Sequence, residues 1–183
     1  SMKKLNKDNK GFSLVELLVV IAIMVVLVGV IAPSLLSNIE KTRESKDIQA
    51  LDTLAGNVQA AMTDEDIYDA IIAAAGTGND FVFDLVKAYD ATNAVFGSTA
   101  TTANKKFATA LDGYLNNANV YDASGIKVFG SKSAKEGKVI LVDINVKTGS
   151  ITVALVKTAT ATAIVDSDVV TGAKSGNAYS VTR

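Results

Sequence analysis

An α+β fold follows from three observations on the sequence. Residues 12–32 make a nearly unbroken apolar run, residues 34–62 carry apolar side chains at helical spacing, and beyond Gly125 the apolar period drops to two as β-branched residues take over. Helices gathered in one half of a chain and strands in the other define an α+β arrangement. At 183 residues the chain holds one ordinary domain and an additional helix.

Taken from the start, residues 1–11 form a basic leader, with Lys3, Lys4, Lys7 and Lys10 against Asp8 alone. Its net charge of +3 leaves −4 for the remainder of a chain whose formal charge is −1. A slightly acidic body speaks against nucleic-acid binding, which needs a clustered basic face to neutralise phosphates. There is no cysteine and no histidine. Disulfides, thiolate metal sites and cysteine nucleophiles are thereby excluded, and the commonest general base and zinc ligand are missing. Ser1 ahead of Met2 is expected to lie outside the natural translation start, which makes the leader Met2 to Gly11.

Residues 12–32 read FSLVELLVVIAIMVVLVGVIA, with Glu16 as their only charge. The run has the length of a membrane-spanning helix, about 20 residues, and exceeds the roughly 7 to 15 residues of a secretory signal core. Because the lysines stand directly before it, residues 1–11 are expected in the cytoplasm and everything after Pro33 outside. Helical spacing then continues through Leu36, Ile39, Ile48, Leu51, Leu54, Val58 and Met62, so the helix is expected to run on as an amphipathic one. A carboxylate inside such a helix costs roughly 2 to 3 kcal/mol near the bilayer centre and less at its edge, so Glu16 needs a partner or a function.

The seam between the basic and apolar parts, Lys10-Gly11-Phe12-Ser13-Leu14-Val15-Glu16, resembles the prepilin processing motif of type IV pilins, pseudopilins and related filament subunits. Gly11, Phe12, Glu16 and Pro33 fall where that pattern puts them, and the resemblance spans residues 10–40. Val25 departs from it, standing where many members have glycine, with Gly29 four residues later. That weakens any expectation that the helix melts upstream of Pro33. Singly, each residue also has a plain structural reading: Gly11 as an interfacial glycine, Glu16 as a snorkelling carboxylate, Pro33 as a kink.

The resemblance implies a class III signal peptide. A prepilin peptidase would cut between Gly11 and Phe12 and methylate the new amine of Phe12. Residues 12–33 would form the transmembrane and filament-core helix, and residues 34–183 an extracellular head that includes the amphipathic half of the helix packed on an antiparallel sheet. The partners implied are identical pilin subunits in a helical filament, the prepilin peptidase, the assembly platform with its ATPase, and the membrane before assembly. Phe12, Glu16 and Pro33 would be the assembly residues, with no cofactor and no metal.

Further along, Thr63-Asp64-Glu65-Asp66 before IYDAIIAAAG reads as an N-cap, an acidic first turn and a short helix closed by Gly76, in preference to a calcium site. Helices are expected over residues 80–96 and 104–116, separated by a loop holding Thr99, Thr101 and Thr102. Residues 138–146 and 150–158 flank Lys147-Thr148-Gly149 and predict a β-hairpin. Residues 126–129, 161–165 and 179–182 are expected as further strands.

Nothing ties Asp143, Asp166 or Asp168 to a nucleophile or base, so they read as solvated carboxylates and the chain as a non-enzyme. TGAKSG at 171–176 lacks the first glycine of a phosphate loop. The expectation is a major type IV pilin, with absent cysteines pointing to a Gram-positive host and with twitching motility and cell adhesion among the roles the resemblance carries. The runner-up is a pseudopilin of type II secretion or DNA uptake. An uncleaved, single-pass anchored binding module is the rival of another class.

Overall fold

The computed structural model describes residues 10–85, 89–90, 95–96, 121–122, 125–159 and 161–183. Contacts divide the chain into one compact unit ending at Ile39 and a second running Glu40–Arg183. Helix α1 spans Leu14–Ala61 and contains Pro33. Helix α2 spans Glu65–Ala75, with the Asp64 side chain accepting from the backbone N–H groups of Asp66 and Ile67 and with Gly76 as its C-cap. The acidic run at 64–66 is thus a helix start, as its composition predicts.

A four-stranded antiparallel sheet completes the second unit, in the order β1 (Asp80–Asp84), β6 (Val139–Asn145), β7 (Ile151–Val156), β8 (Ser180–Thr182). Two short pairs stand apart from it, β2 (Tyr89–Asp90) with β3 (Val95–Phe96) and β4 (Tyr121–Asp122) with β5 (Gly125–Ile126). The α+β arrangement is therefore present. The β6–β7 hairpin forms where two apolar, β-branched runs flank a glycine turn. Asn145 Oδ1 accepts from the N–H groups of Lys147 and Thr148, and Gly149 takes the positive φ of 76° that a side chain would resist.

Register gives the sheet two faces. Ile140 lies opposite Leu155, Val142 opposite Val153 and Ile144 opposite Ile151, and these side chains meet Leu51, Leu54, Ala55 and Val58 of α1 and Ile67 and Ile71 of α2 in one core. The alternate positions Val139, Leu141, Ala154 and Val156 form a second cluster with Val169 on the other face. Burial of both faces explains why β6 is apolar at almost every position instead of strictly alternating.

Three sequence expectations are corrected. Residues 80–84 are a strand: the same apolar residues that suggest a helix are used in alternation, with Phe81 buried opposite Ile144, and the open edge of β6 supplies the backbone partners. Residues 127–129 leave β5 as irregular backbone, with Val128 and Phe129 packed on the core. Residues 161–165 are loop, and Ala161 and Ile164 pack on the outer cluster. The expected helix at 104–116 and the threonine loop lie outside the described residues.

The face of α1 within the second unit begins with acids. Leu36 and Ile39 are exposed, whereas Glu40, Glu44 and Asp47 are buried before the apolar stripe starts at Leu51. Asp47 accepts from the N–H groups of Gly130 at 2.8 Å and Ser131 at 2.9 Å. Glu40 accepts from Lys132 N–H. Glu44 accepts from Ser133 Oγ at 2.9 Å, Lys174 N–H at 3.1 Å and Ser175 N–H at 2.7 Å. Two loops without ladder partners thus satisfy their amides on helix carboxylates, which answers why acids occupy buried helical positions. Arg183 closes the chain onto the same helix, bonding both oxygens of Asp52 at 3.0 and 2.8 Å.

Candidate functional site

Lys10, Gly11 and Phe12 precede the helix, and Phe12 is 92% exposed. The helix starts through a reciprocal pair of bonds: Ser13 N–H donates to Glu16 Oε2 at 2.8 Å, and Glu16 N–H donates to Ser13 Oγ at 3.2 Å. Leu17 N–H reaches the Ser13 carbonyl at 3.1 Å as the first helical bond. This is a capping box, Ser at N-cap and Glu three residues on, which satisfies two of the amides a helix start leaves open. Reading Glu16 only as a charge in an apolar run missed it. The signal was present as S-x-x-E immediately before that run.

Gly11, Phe12 and Glu16 are brought together, lining one open surface depression with Lys10 and Ser13. Pro33 lies further along the same helix, which continues through it. Proline has no N–H to return to the carbonyl four residues back, and that residue is Gly29. One helix among the described residues is long and apolar enough to cross a membrane, and none of its most apolar window, of mean hydropathy 3.2, is buried. Leu14 to Ile31 expose nearly every large apolar side chain, a surface far beyond what a water-soluble chain leaves open.

Among the described residues nothing requires a glycine at position 11. A Cβ placed on it meets nothing within 4 Å, and it does not take a positive φ. Gly172 is the contrast, since a Cβ there would come within 2.6 Å of Glu44 Oε2 and 2.4 Å of Ser175 Oγ. The TGAKSG loop does cradle an anion through its backbone N–H groups, and that anion is Glu44 of α1. Burial raises the Glu44 pKa, but the hydrogen bonds from Ser175, Lys174 and Ser133 outweigh it and hold the carboxyl below its ordinary value.

The other acids singled out from sequence stay apart. Asp143 lies on β6, where burial and then the neighbouring Asp80 raise its pKa. Asp168 accepts from Thr158 Oγ at 2.8 Å beside a one-turn 3₁₀ helix, Asp166–Asp168. Among the described residues no three His, Cys, Asp or Glu side chains are gathered to hold a metal.

Residues 6–32 match the prokaryotic N-terminal methylation motif. Neither a curated protein nor a solved structure matches the chain. The motif is the class III signal peptide of type IV pilins, and it supports a precursor of the type IV pilin-like or pseudopilin kind.

Proposed function

We propose that the chain is a non-enzymatic structural subunit, the precursor of a major type IV pilin. It is held in the membrane with residues 1–11 inside and the head outside, cut between Gly11 and Phe12, methylated on Phe12, and polymerised through residues 12–33. The observation that carries this reading is the methylation motif set on a helix whose apolar span, Glu16 apart, carries no charge and buries nothing within its own chain. Gly11 adds support, because a glycine unneeded by its own fold is one an outside enzyme can require.

The chemistry follows from the exchange of environments. Cleavage frees an α-amino group with a pKa near 8, cationic at neutral pH, and methylation keeps that charge. In a filament core without water the Phe12 ammonium of one subunit pairs with Glu16 of its neighbour. Removing one partner strands a buried charge at a loss of about 3 to 5 kcal/mol.

The test is intact mass and N-terminal sequence of protein sheared from the surface of the native host, beside a Glu16→Val strain. A chain starting at methylated Phe12, abundant in long filaments and absent from them in the mutant, is the expected result. An uncut chain confined to membranes refutes the proposal in favour of an anchored module. A cut chain in short periplasmic or envelope-bound assemblies, with no long filaments, refutes the pilin assignment in favour of a pseudopilin.

A further inference from the structure

We infer that Ser13 is a positioning residue for cleavage of the Gly11–Phe12 bond, acting by fixing where helix α1 begins. The inference rests on the processing reading above. Three hydrogen bonds donated by backbone N–H groups converge on the boundary: Ser13 N–H to Glu16 Oε2, Glu16 N–H to Ser13 Oγ, and Leu17 N–H to Ser13 O. They make Ser13 the cap, so Lys10, Gly11 and Phe12 stay outside the helix.

Hydrolysis needs the Gly11 carbonyl open to an attacking water and to a donor that stabilises the developing oxyanion. Inside a helix that carbonyl would be committed to the N–H four residues on, which is Val15. The sequence offers the alternative directly, since Asp8 and Asn9 are residue types that cap as well as serine does. Without the Ser13 cap, a helix begun at either one absorbs the scissile bond. Ser13 and Glu16 therefore keep the substrate segment in the form the peptidase binds. On this account Glu16 has two separable duties: its oxygen as an acceptor completes the cap, and its charge serves assembly.

The experiment uses the full-length chain in phospholipid vesicles with a purified prepilin peptidase, following cleavage by mass. Losing a cap is worth about fivefold in the helix-start equilibrium. A substrate competent only part of the time binds more weakly by that fraction. Ser13→Ala is expected to raise KM measurably, by at most about fivefold, with kcat unchanged, and Ser13→Thr to restore it. Glu16→Gln keeps a capping acceptor and is expected to stay within twofold of the parent, while Glu16→Val, which loses that acceptor but keeps the backbone N–H bonded to Ser13 Oγ, raises KM by less than Ser13→Ala does.

An unchanged KM in Ser13→Ala overturns the inference. So does a normal KM in Glu16→Val beside a raised one in Ser13→Ala, which would mean that the peptidase touches the Ser13 hydroxyl itself. Failure of the parent chain to be cut is a different result and sinks the processing reading instead.

Discussion

Replacing Glu44 with alanine removes the acceptor on which two loops converge, and the cost is calculable from its three donors. Hydrogen bonds to a charged acceptor contribute about 1.5 to 3 kcal/mol each, which sets an upper bound of roughly 4.5 to 9 kcal/mol for the bonds from Ser133 Oγ, Lys174 N–H and Ser175 N–H. The full sum is not expected. Lys174 is exposed, so its amide and that of Ser175 can turn to water, whereas buried Ser133 cannot do so as readily. A loss of about 3 to 4 kcal/mol remains, lowering Tm by roughly 10 °C for a unit of this size. The assay is thermal unfolding of the full-length chain in detergent, followed by near-UV circular dichroism of its tyrosines, with amide exchange at Lys174 and Ser175. Glu44→Gln keeps the volume and one acceptor oxygen and should lose about half as much. Since the folded pKa of Glu44 is lowered, its extra stability is present above the ordinary value of 4.5 and is lost as pH falls through the lowered one, so parent and Glu44→Gln should converge in acid. A loss under about 1 kcal/mol, or slow exchange of both amides in Glu44→Ala, would refute the stapling account.

Tyr179, fully buried, is pushed up to about 12 chiefly by burial, with Asp47, Glu44 and Glu40 adding to the shift against the Ser131 hydrogen bond. A raised acid stabilises the fold below its unfolded pKa near 10, and that stability is lost as pH climbs to about 12. Alkaline titration should therefore show a decline of about 2 to 3 kcal/mol that is absent in Tyr179→Phe, and an identical decline in both would rule Tyr179 out as its cause. Gly172→Ala should destabilise by about 1 to 3 kcal/mol, because the new methyl must displace Glu44 or Ser175; a melting temperature matching the parent would show that the loop yields without cost. Leu155→Ala, at a fully buried position facing α1, should cost about 2 to 5 kcal/mol in denaturant unfolding, and a loss under 1 kcal/mol would mean that the core collapses around the gap.

How far the sequence could be read depended on whether each signal was local. The hairpin at 139–156 was legible because its turn chemistry, Asn145 and Gly149, lies beside the runs it joins. The short helix at 65–75 was legible because Asp64 caps its own next residues. Residues 80–84 were misread because their partner, β6, lies some sixty residues away and a short apolar run fits either period. The acids at 40, 44 and 47 gave no warning at all. Their close donors are, but for the Ser133 hydroxyl, backbone amides at 130–132 and 174–175, which carry no side-chain signature, and a charged helix face is ordinarily solvated. At the site itself Gly11, Phe12 and Glu16 could be picked out by their order along the chain. The capping box lay in the same letters and was hidden by attention to charge.

The acids of α1 divide by what they have left to bind. Glu40, Glu44 and Asp47 are consumed by loop amides, and Asp52 by Arg183, so each is satisfied within the chain. Among the described residues Glu16 accepts one N–H, that of Ser13, while a carboxylate offers about four acceptor positions. In water, or at a bilayer edge, solvent fills the remainder. In an apolar core nothing does, and an ionised carboxylate left there with a single backbone donor carries a large desolvation cost. A cation with several donors on a neighbouring subunit meets that requirement, and the amine that the proposed cleavage would release at Phe12 is such a group. It exists only after the Gly11–Phe12 bond is cut. On the pilin reading proposed above, an uncut subunit lacks the partner that would let Glu16 enter the core, so the burial cost of one carboxylate would make processing a precondition of assembly.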